Sequence, residues 1–200
     1  MSKKALVLLA EGFEEVEALT PVDYLRRAGI EVTVAAAGTM CRGENLLVEG
    51  SHGIKAAADT TLEGMAAENK LGSADWDAVI VPGGLPGADN LAASAETGAF
   101  LKDMAGAGKL VCAICASPAR VLAPLGLLAG KKFTCYPGEE EKVSADSAEW
   151  KQDRVVVDGN IITSRGAGTA GEFACAIVAE LVSEAEAKKL AERLLLRDDY

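Results

Sequence analysis

Histidine is nearly missing from this 200-residue chain, which has one, His52. One imidazole and five scattered cysteines do not make a His/Cys cluster, so no tetrahedral zinc site, and no metal, is expected. Basic residues are also short: 20 Lys and Arg stand against 30 Asp and Glu, a formal charge of −10. Such a field repels phosphate backbones and anionic headgroups, which argues against a nucleic-acid or membrane-surface partner. Aromatics at 4% leave no stacking platform for single strands. No apolar run approaches the roughly 20 residues of a spanning helix. The stretch Ala5 to Ala10 is closed at once by Glu11, Glu14, Glu15 and Glu17, and carboxylates do not end a signal-peptide core, so the chain is expected in the cytoplasm. Cys41, Cys112, Cys115, Cys135 and Cys175 are odd in number and scattered over a chain too large to need staples, which predicts thiols.

What is present suits one packed domain over residues 1–200, since half of the residues are apolar. Ala5 to Leu9 reads as a buried strand, Glu15 to Ala28 as a helix ended by Gly29, and Ile30 to Ala36 as a second strand. Pro21 inside the helical pattern predicts irregular first turns. Val48 to Ala56 reads as a hairpin around Gly50 to Gly53, and Ala78 to Val81 and Leu110 to Ile114 as short apolar strands with a helix, Thr97 to Ala107, between them. Further on come a helix from Pro118 to Leu125, a strand from Lys132 to Cys135 and a hairpin joining Arg154–Val157 to Ile161–Ser164. Two helices, Ala170 to Leu181 and Glu184 to Leu196, close the pattern. Strands separated by helices predict an α/β fold, flavodoxin-like (Rossmann-like), with an open, mainly parallel sheet and helices on both faces. Sites in such sheets lie at the carboxyl ends of the strands.

Three strand ends carry unusual residues: Glu11 to Glu17, Pro82-Gly83-Gly84, and Cys112-Ala113-Ile114-Cys115-Ala116-Ser117-Pro118. The glycine pair either makes a plain turn or lets backbone amides face a ligand as anion donors. It is no phosphate loop, because the lysine of that motif is missing. Cys112 and Cys115 do not read as a redox pair: along a strand their Cα atoms would lie roughly 10 Å apart, beyond the ~7 Å a disulfide spans. Cys112 reads as a small core residue. Cys115 stands between a strand and the helix that Ser117-Pro118 opens, where a helix dipole favours thiolate. That position is a thiol version of the nucleophile elbow, although a plain buried thiol fits the pattern too. Glu14 and Glu15 read as solvated carboxylates of a first helical turn.

The strings L-x-x-G-F-E-E-V-E (Leu9 to Glu17), P-V-D-Y-L-R-R-A-G (Pro21 to Gly29), V-P-G-G-x-x-G-A-D-N (Val81 to Asn90), A-I-C-A-S-P (Ala113 to Pro118) and T-S-R-G-A-G-T (Thr163 to Thr169) occur in this order. Together they resemble the DJ-one (ThiJ/PfpI) superfamily, and most of all its parkinsonism-associated deglycase branch. The resemblance implies a homodimer that needs no cofactor, with its site near the subunit interface. It matches Cys115 to an oxidation-prone nucleophile, Glu17 to the glutamate that hydrogen-bonds it, and the amides of Gly84 and Ala116 to oxyanion-type donors. Gly83, Tyr136, His52, Arg27 and Arg165 are carried over as candidate pocket residues. The activity implied is that of a glutathione-independent glyoxalase acting on small α-oxoaldehydes such as methylglyoxal, or of a protein deglycase. The alternative is a non-enzymatic oxidative-stress sensor or protective chaperone that uses Cys115. Ala116 stands where the family's amidases place a histidine after the cysteine, which disfavours a protease. Tyr136 and His52 also replace residues usual in the deglycase branch, a histidine and an arginine, and Ala167 replaces a proline.

Overall fold

β1 (Lys4–Leu9) runs through the middle of the molecule, because five of its six side chains are apolar and fully covered. Its residues alternate between two layers, as a strand's period of two requires. Ala5, Val7 and Leu9 face one cluster; Leu6 and Leu8 face the other. The structure, a computed structural model, describes residues 2–38 and 46–196. Cys41 lies outside the described residues.

The chain leaves β1 into α1 (Glu15–Arg27), returns as β2 (Glu31–Ala36), and forms the hairpin of β3 (Leu47–Glu49) and β4 (Lys55–Ala57). β5 (Thr60–Thr61) and α2 (Leu62–Ala67) follow, and then β6 (Ala78–Val81) pairs with the other side of β1. α3 (Gly87–Ala93) and α4 (Ala95–Gly106) lead to β7 (Leu110–Ile114). A small two-stranded ladder, β8 (Lys132–Phe133) with β9 (Glu149–Trp150), forms a sheet of its own. β10 (Val155–Asp158), β11 (Ile161–Ser164), α5 (Ala170–Leu181) and α6 (Glu184–Arg193) complete the order.

The main sheet runs β10-β11-β7-β6-β1-β2-β5. Every pair in it is parallel except β10 with β11. Val22 and Leu25 of α1 and Phe173, Ile177 and Val178 of α5 cover one face. Leu62 of α2, Leu91 of α3 and Leu101 and Met104 of α4 cover the other. Helices therefore lie on both sides of the sheet, the flavodoxin-like arrangement read from the alternating pattern. Each of these large side chains is almost fully covered, so truncating one such as Leu101 to alanine costs about 2–5 kcal/mol.

The chain winds to β2 on one side of β1 and then crosses to β6 on the other, so loops diverge above the carboxyl ends of β1 and β6. That crevice is where α/β sheets place ligands. Three local expectations differ from the structure. α1 is continuous from Glu15 to Arg27 with Pro21 buried inside it, so the first turns are not irregular. The helix expected at Pro118 to Leu125 is a five-residue π-helical turn, Pro118–Leu122. The Ala123 amide caps it by donating to the Pro118 carbonyl five residues back, and past it the Leu127 amide donates to the Leu122 carbonyl in a turn that contains Gly126 at φ +77°. The strand expected at Lys132 to Cys135 stops at Phe133, because the Thr134 amide donates to Thr163 Oγ1 (2.9 Å) and the Tyr136 amide to the Cys115 carbonyl (2.8 Å). The short helices α2 and α3 had no periodic apolar pattern long enough to announce them.

Candidate active site

Cys115 is the residue that follows β7, and its backbone is held from both sides. Its amide donates to the Ser164 carbonyl (3.0 Å), and its carbonyl accepts from the Tyr136 amide. Its φ is +65°, in the left-handed region that a non-glycine residue adopts only when its surroundings impose it. The nearby hydroxyl of Ser117 is fully buried and donates to the Pro82 carbonyl at 2.6 Å, tying the turn after Cys115 to the end of β6. This is the sharp strand-to-turn geometry of a nucleophile elbow.

Glu17 lies in the first turn of α1 and is 1% exposed. Its Oε2 accepts from the Gly83 amide at 2.9 Å, its carboxyl is hydrogen-bonded to the Cys115 side chain, and the Ala167 amide also donates to it. Gly83 is the wall between these groups. A Cβ placed on it would stand 2.6 Å from Cys115 Cβ and 2.6 Å from Glu17 Oε2, so only glycine lets the strand end approach so closely. Gly84, at φ +87°, turns the chain beside it, and there a Cβ would collide with the Glu14 amide and the Gly12 carbonyl. The amides of Gly84 and Ala116 both donate towards the Cys115 sulfur.

Burial pushes the Glu17 carboxyl up to about 7, against the lowering effect of its hydrogen bonds, and the charge of Glu14 adds to the rise. Burial and the negative charge of Glu17 also push the Cys115 thiol up, while the Ala116 and Gly84 amides pull it down. The helix dipole expected to lower this thiol is weak, because a five-residue π-helical turn follows and not an α-helix. The two titrations are coupled, because the charge of each group raises the pKa of the other. With the proton on Glu17, the carboxyl repels the thiolate no longer and can donate to it.

The other candidate residues fall into two groups. Tyr136 is on the rim: its side chain is exposed, and its ring lies 3.4 Å from where a Cβ on Gly166 would stand, close to Glu17. Arg27 and Arg165 are not brought to Cys115. Arg27 is three turns along α1 from Glu17, about 15 Å at 1.5 Å per residue, and its Nε donates to Asp23 at 2.7 Å. Arg165 turns its guanidinium away, donating to the Gln152 carbonyl at 2.9 Å.

His52 sits on the turn between β3 and β4 and meets Glu15, not Cys115, with 3.0 Å between Nδ1 and Oε2. Glu15 itself corrects the solvated-carboxylate reading: it is 4% exposed. Burial raises its pKa, but hydrogen bonds from the His52 ring and from backbone amides, including those of His52 and Ile54, outweigh this and lower it to about 2. The sequence marked Ser117 as part of a helix start and Ala167 as a replaced proline, but not the hydrogen bonds that either makes. Cys112 is fully buried in β7 and is a free thiol, as are Cys115, Cys135 and Cys175. No helix among the described residues is long and apolar enough to cross a membrane.

Residues 3–180 match the model of the DJ-1/PfpI family. The chain is 43% identical over 197 residues to the Parkinson disease protein 7 homolog of Danio rerio, covering 98% of each. It is 34% identical over 195 residues to the glutathione-independent glyoxalase DJR-1.2 of Caenorhabditis elegans, covering 97% of each. Among solved structures, the crystal structure of Drosophila melanogaster DJ-1beta superimposes with a TM-score of 0.87 at 39% identity, over 98% of this chain and all of that one.

Proposed function

Because the chain belongs to the DJ-1/PfpI family, we propose that it is a cofactor-independent enzyme in which Cys115 attacks the aldehyde carbon of a small α-oxoaldehyde such as methylglyoxal. The observation that carries this reading is the buried Glu17 carboxyl, bonded at once to the Cys115 side chain and to the Gly83 amide. Sγ adds to the aldehyde, and the amides of Gly84 and Ala116 hold the oxyanion that forms. Glu17 then moves a proton from the former aldehyde carbon to the neighbouring one by way of the enediol. The aldehyde carbon is thereby oxidised to a thioester while the adjacent ketone is reduced to an alcohol. Water releases the 2-hydroxy acid and returns the thiol, so the balance is methylglyoxal plus water to lactate. The relative from Caenorhabditis elegans whose name carries this activity supports the substrate class. Hydrolysis of early glycation adducts on proteins is a neighbouring use of the same groups.

The same proposal takes residues 1–200 as one domain in a reducing, cytoplasmic compartment, consistent with four free thiols among the described residues. It takes the working form as a homodimer. Val16 and Leu19 on the outer face of α1, and Ile54 on the neighbouring hairpin, are apolar and exposed by 38% to 57%. Size-exclusion chromatography with light scattering measures that state directly.

The decisive experiment compares wild type with Cys115→Ser and Glu17→Gln for lactate formation from methylglyoxal without glutathione. Lactate from wild type and none from either variant is the expected result; wild type that makes no lactate above buffer overturns the enzyme reading. A second reading, a redox sensor, is favoured by one observation: Cys115 is partly exposed beside an acid whose pKa near 7 leaves a proton to donate to a sulfinate. Mild peroxide followed by intact-mass analysis should then add two oxygens at Cys115, and an unmodified Cys115 rejects it.

A further inference from the structure

Outside the Cys115–Glu17 pair, four possible metal donors of three chemical types meet where the β3–β4 hairpin touches the start of α1. His52 Nδ1 lies 3.0 Å from Glu15 Oε2 and 3.3 Å from Glu14 Oε2. Ser51 Oγ lies 3.1 Å from that nitrogen, 3.1 Å from Glu14 Oε2 and 3.4 Å from Glu15 Oε2. The imidazole and the two carboxylates each offer an atom within 4.8 Å of the others. For an ion with nitrogen and oxygen ligands at about 2.0–2.1 Å, a tetrahedron sets neighbouring ligand atoms about 3.3 Å apart. These side chains already stand at that spacing.

The arrangement is supported from outside as well. Glu15 is buried, and its Oε1 is occupied by the amides of His52 (2.8 Å) and Ile54 (3.3 Å), which turns Oε2 towards the histidine and the serine. Gly50 leaves room for this carboxyl, because a Cβ there would overlap it. Such anchoring of one carboxylate oxygen while the other is free to ligate is how outer hydrogen bonds orient metal ligands. The charges also leave room for a cation: among the described residues neither Glu14 nor Glu15 has an ion-pair partner other than His52.

We propose that His52, Glu14 and Glu15, with Ser51 Oγ as a fourth donor, form a binding site for one divalent ion of the Zn²⁺ class. An imidazole among the donors favours such an ion over Mg²⁺ or Ca²⁺. On binding, any proton on His52 Nδ1 passes to solvent, its lone pair forms the metal bond, and the serine keeps its hydrogen. The site shares no ligand with the Cys115–Glu17 pair, and metal binding is measured without turnover, so it stands or falls apart from the glyoxalase reading.

The test uses the full chain carrying Cys115→Ser in reducing buffer, so that the nearby thiol cannot compete. Zn²⁺ is titrated by calorimetry and Co²⁺ by visible absorption. One equivalent should bind, with a cobalt spectrum of nitrogen and oxygen ligation. His52→Ala, at an exposed position, should weaken binding about tenfold or more with unchanged circular dichroism, and Glu15→Gln should do the same. No binding to the parent, undiminished binding by His52→Ala, or a thiolate charge-transfer band in the cobalt spectrum overturns the proposal.

Discussion

The Gly83 amide donates to Glu17 Oε2 at 2.9 Å, joining the end of β6 to the first turn of α1. Residues 66 apart in the chain are thereby held in one register, and the same carboxyl faces Cys115 from the end of a third element, β7. The bond takes one acceptor site of a buried acid, and the thiol and the Ala167 amide share the rest of that carboxyl. Its geometry sets what several substitutions should do.

Gly83→Ala places a methyl 2.6 Å from both Cys115 Cβ and Glu17 Oε2. The strand end must retreat, which pulls the acid from the thiol. Lactate formation should fall by about 100-fold, on the scale of a 1 Å misplacement, with about 1–3 kcal/mol of stability lost to overpacking. Steady-state kinetics together with urea denaturation check both, and full activity in this variant contradicts the site geometry.

Ser117→Ala removes the donor to the Pro82 carbonyl and leaves that carbonyl buried without this partner. The cost should be about 1–3 kcal/mol, visible in the urea midpoint. Cys115 alkylation should also change in rate, because the turn behind it loosens. A variant as stable as wild type would show that the bond contributes nothing.

Glu17 should give stability a pH dependence of definite sign. Its pKa is about 7 in the folded chain and near 4.5 when unfolded. Between these values the native state binds more protons, so this contribution falls as pH rises from about 4.5 through 7. Glu17→Gln removes it. In EDTA-containing buffer, stability relative to wild type should shift in favour of the variant by roughly 2–3 kcal/mol between pH 5 and pH 8. No shift would show that Glu17 titrates as an ordinary surface acid, and a shift of the opposite sign that its folded pKa is lowered; either contradicts the assignment.

Cys112 and Cys135 are fully covered and their thiols are pushed up by burial. Neither should react with iodoacetamide in the folded protein, whereas Cys115 should label. Peptide mapping after brief alkylation reads this out. Labelling of Cys112 ahead of Cys115 would reverse the assignment of the exposed thiol.

Much of the fold was legible because its central strands are buried on both faces and read as short apolar runs between helical periods. β1, β2, β6, β7, β10 and β11 all fall where apolar or β-branched runs stood. The misreadings lie where local pattern loses to tertiary bonding. Lys132 to Cys135 has a strand's composition, but Thr163 Oγ1 and the Cys115 carbonyl take the amides of Thr134 and Tyr136. Glu14 and Glu15 are alike as sequence, yet Glu15 is buried because the turn of a hairpin 36 and more residues away folds down on it.

Periodicity and short motifs are local properties, so the α/β layering, the family resemblance and the three strand ends where chemistry could gather can be read from the residues alone. Which members of those segments meet follows only from how the chain packs. Glu17 faces Cys115 while Glu15 faces His52, since neighbouring residues at a helix start point in different directions and each finds a different partner. Protonation followed the same division. A thiol's position can be read from a string, but the pKa of Glu17 depends on burial and on amides that two separate loops supply, those of Gly83 and Ala167.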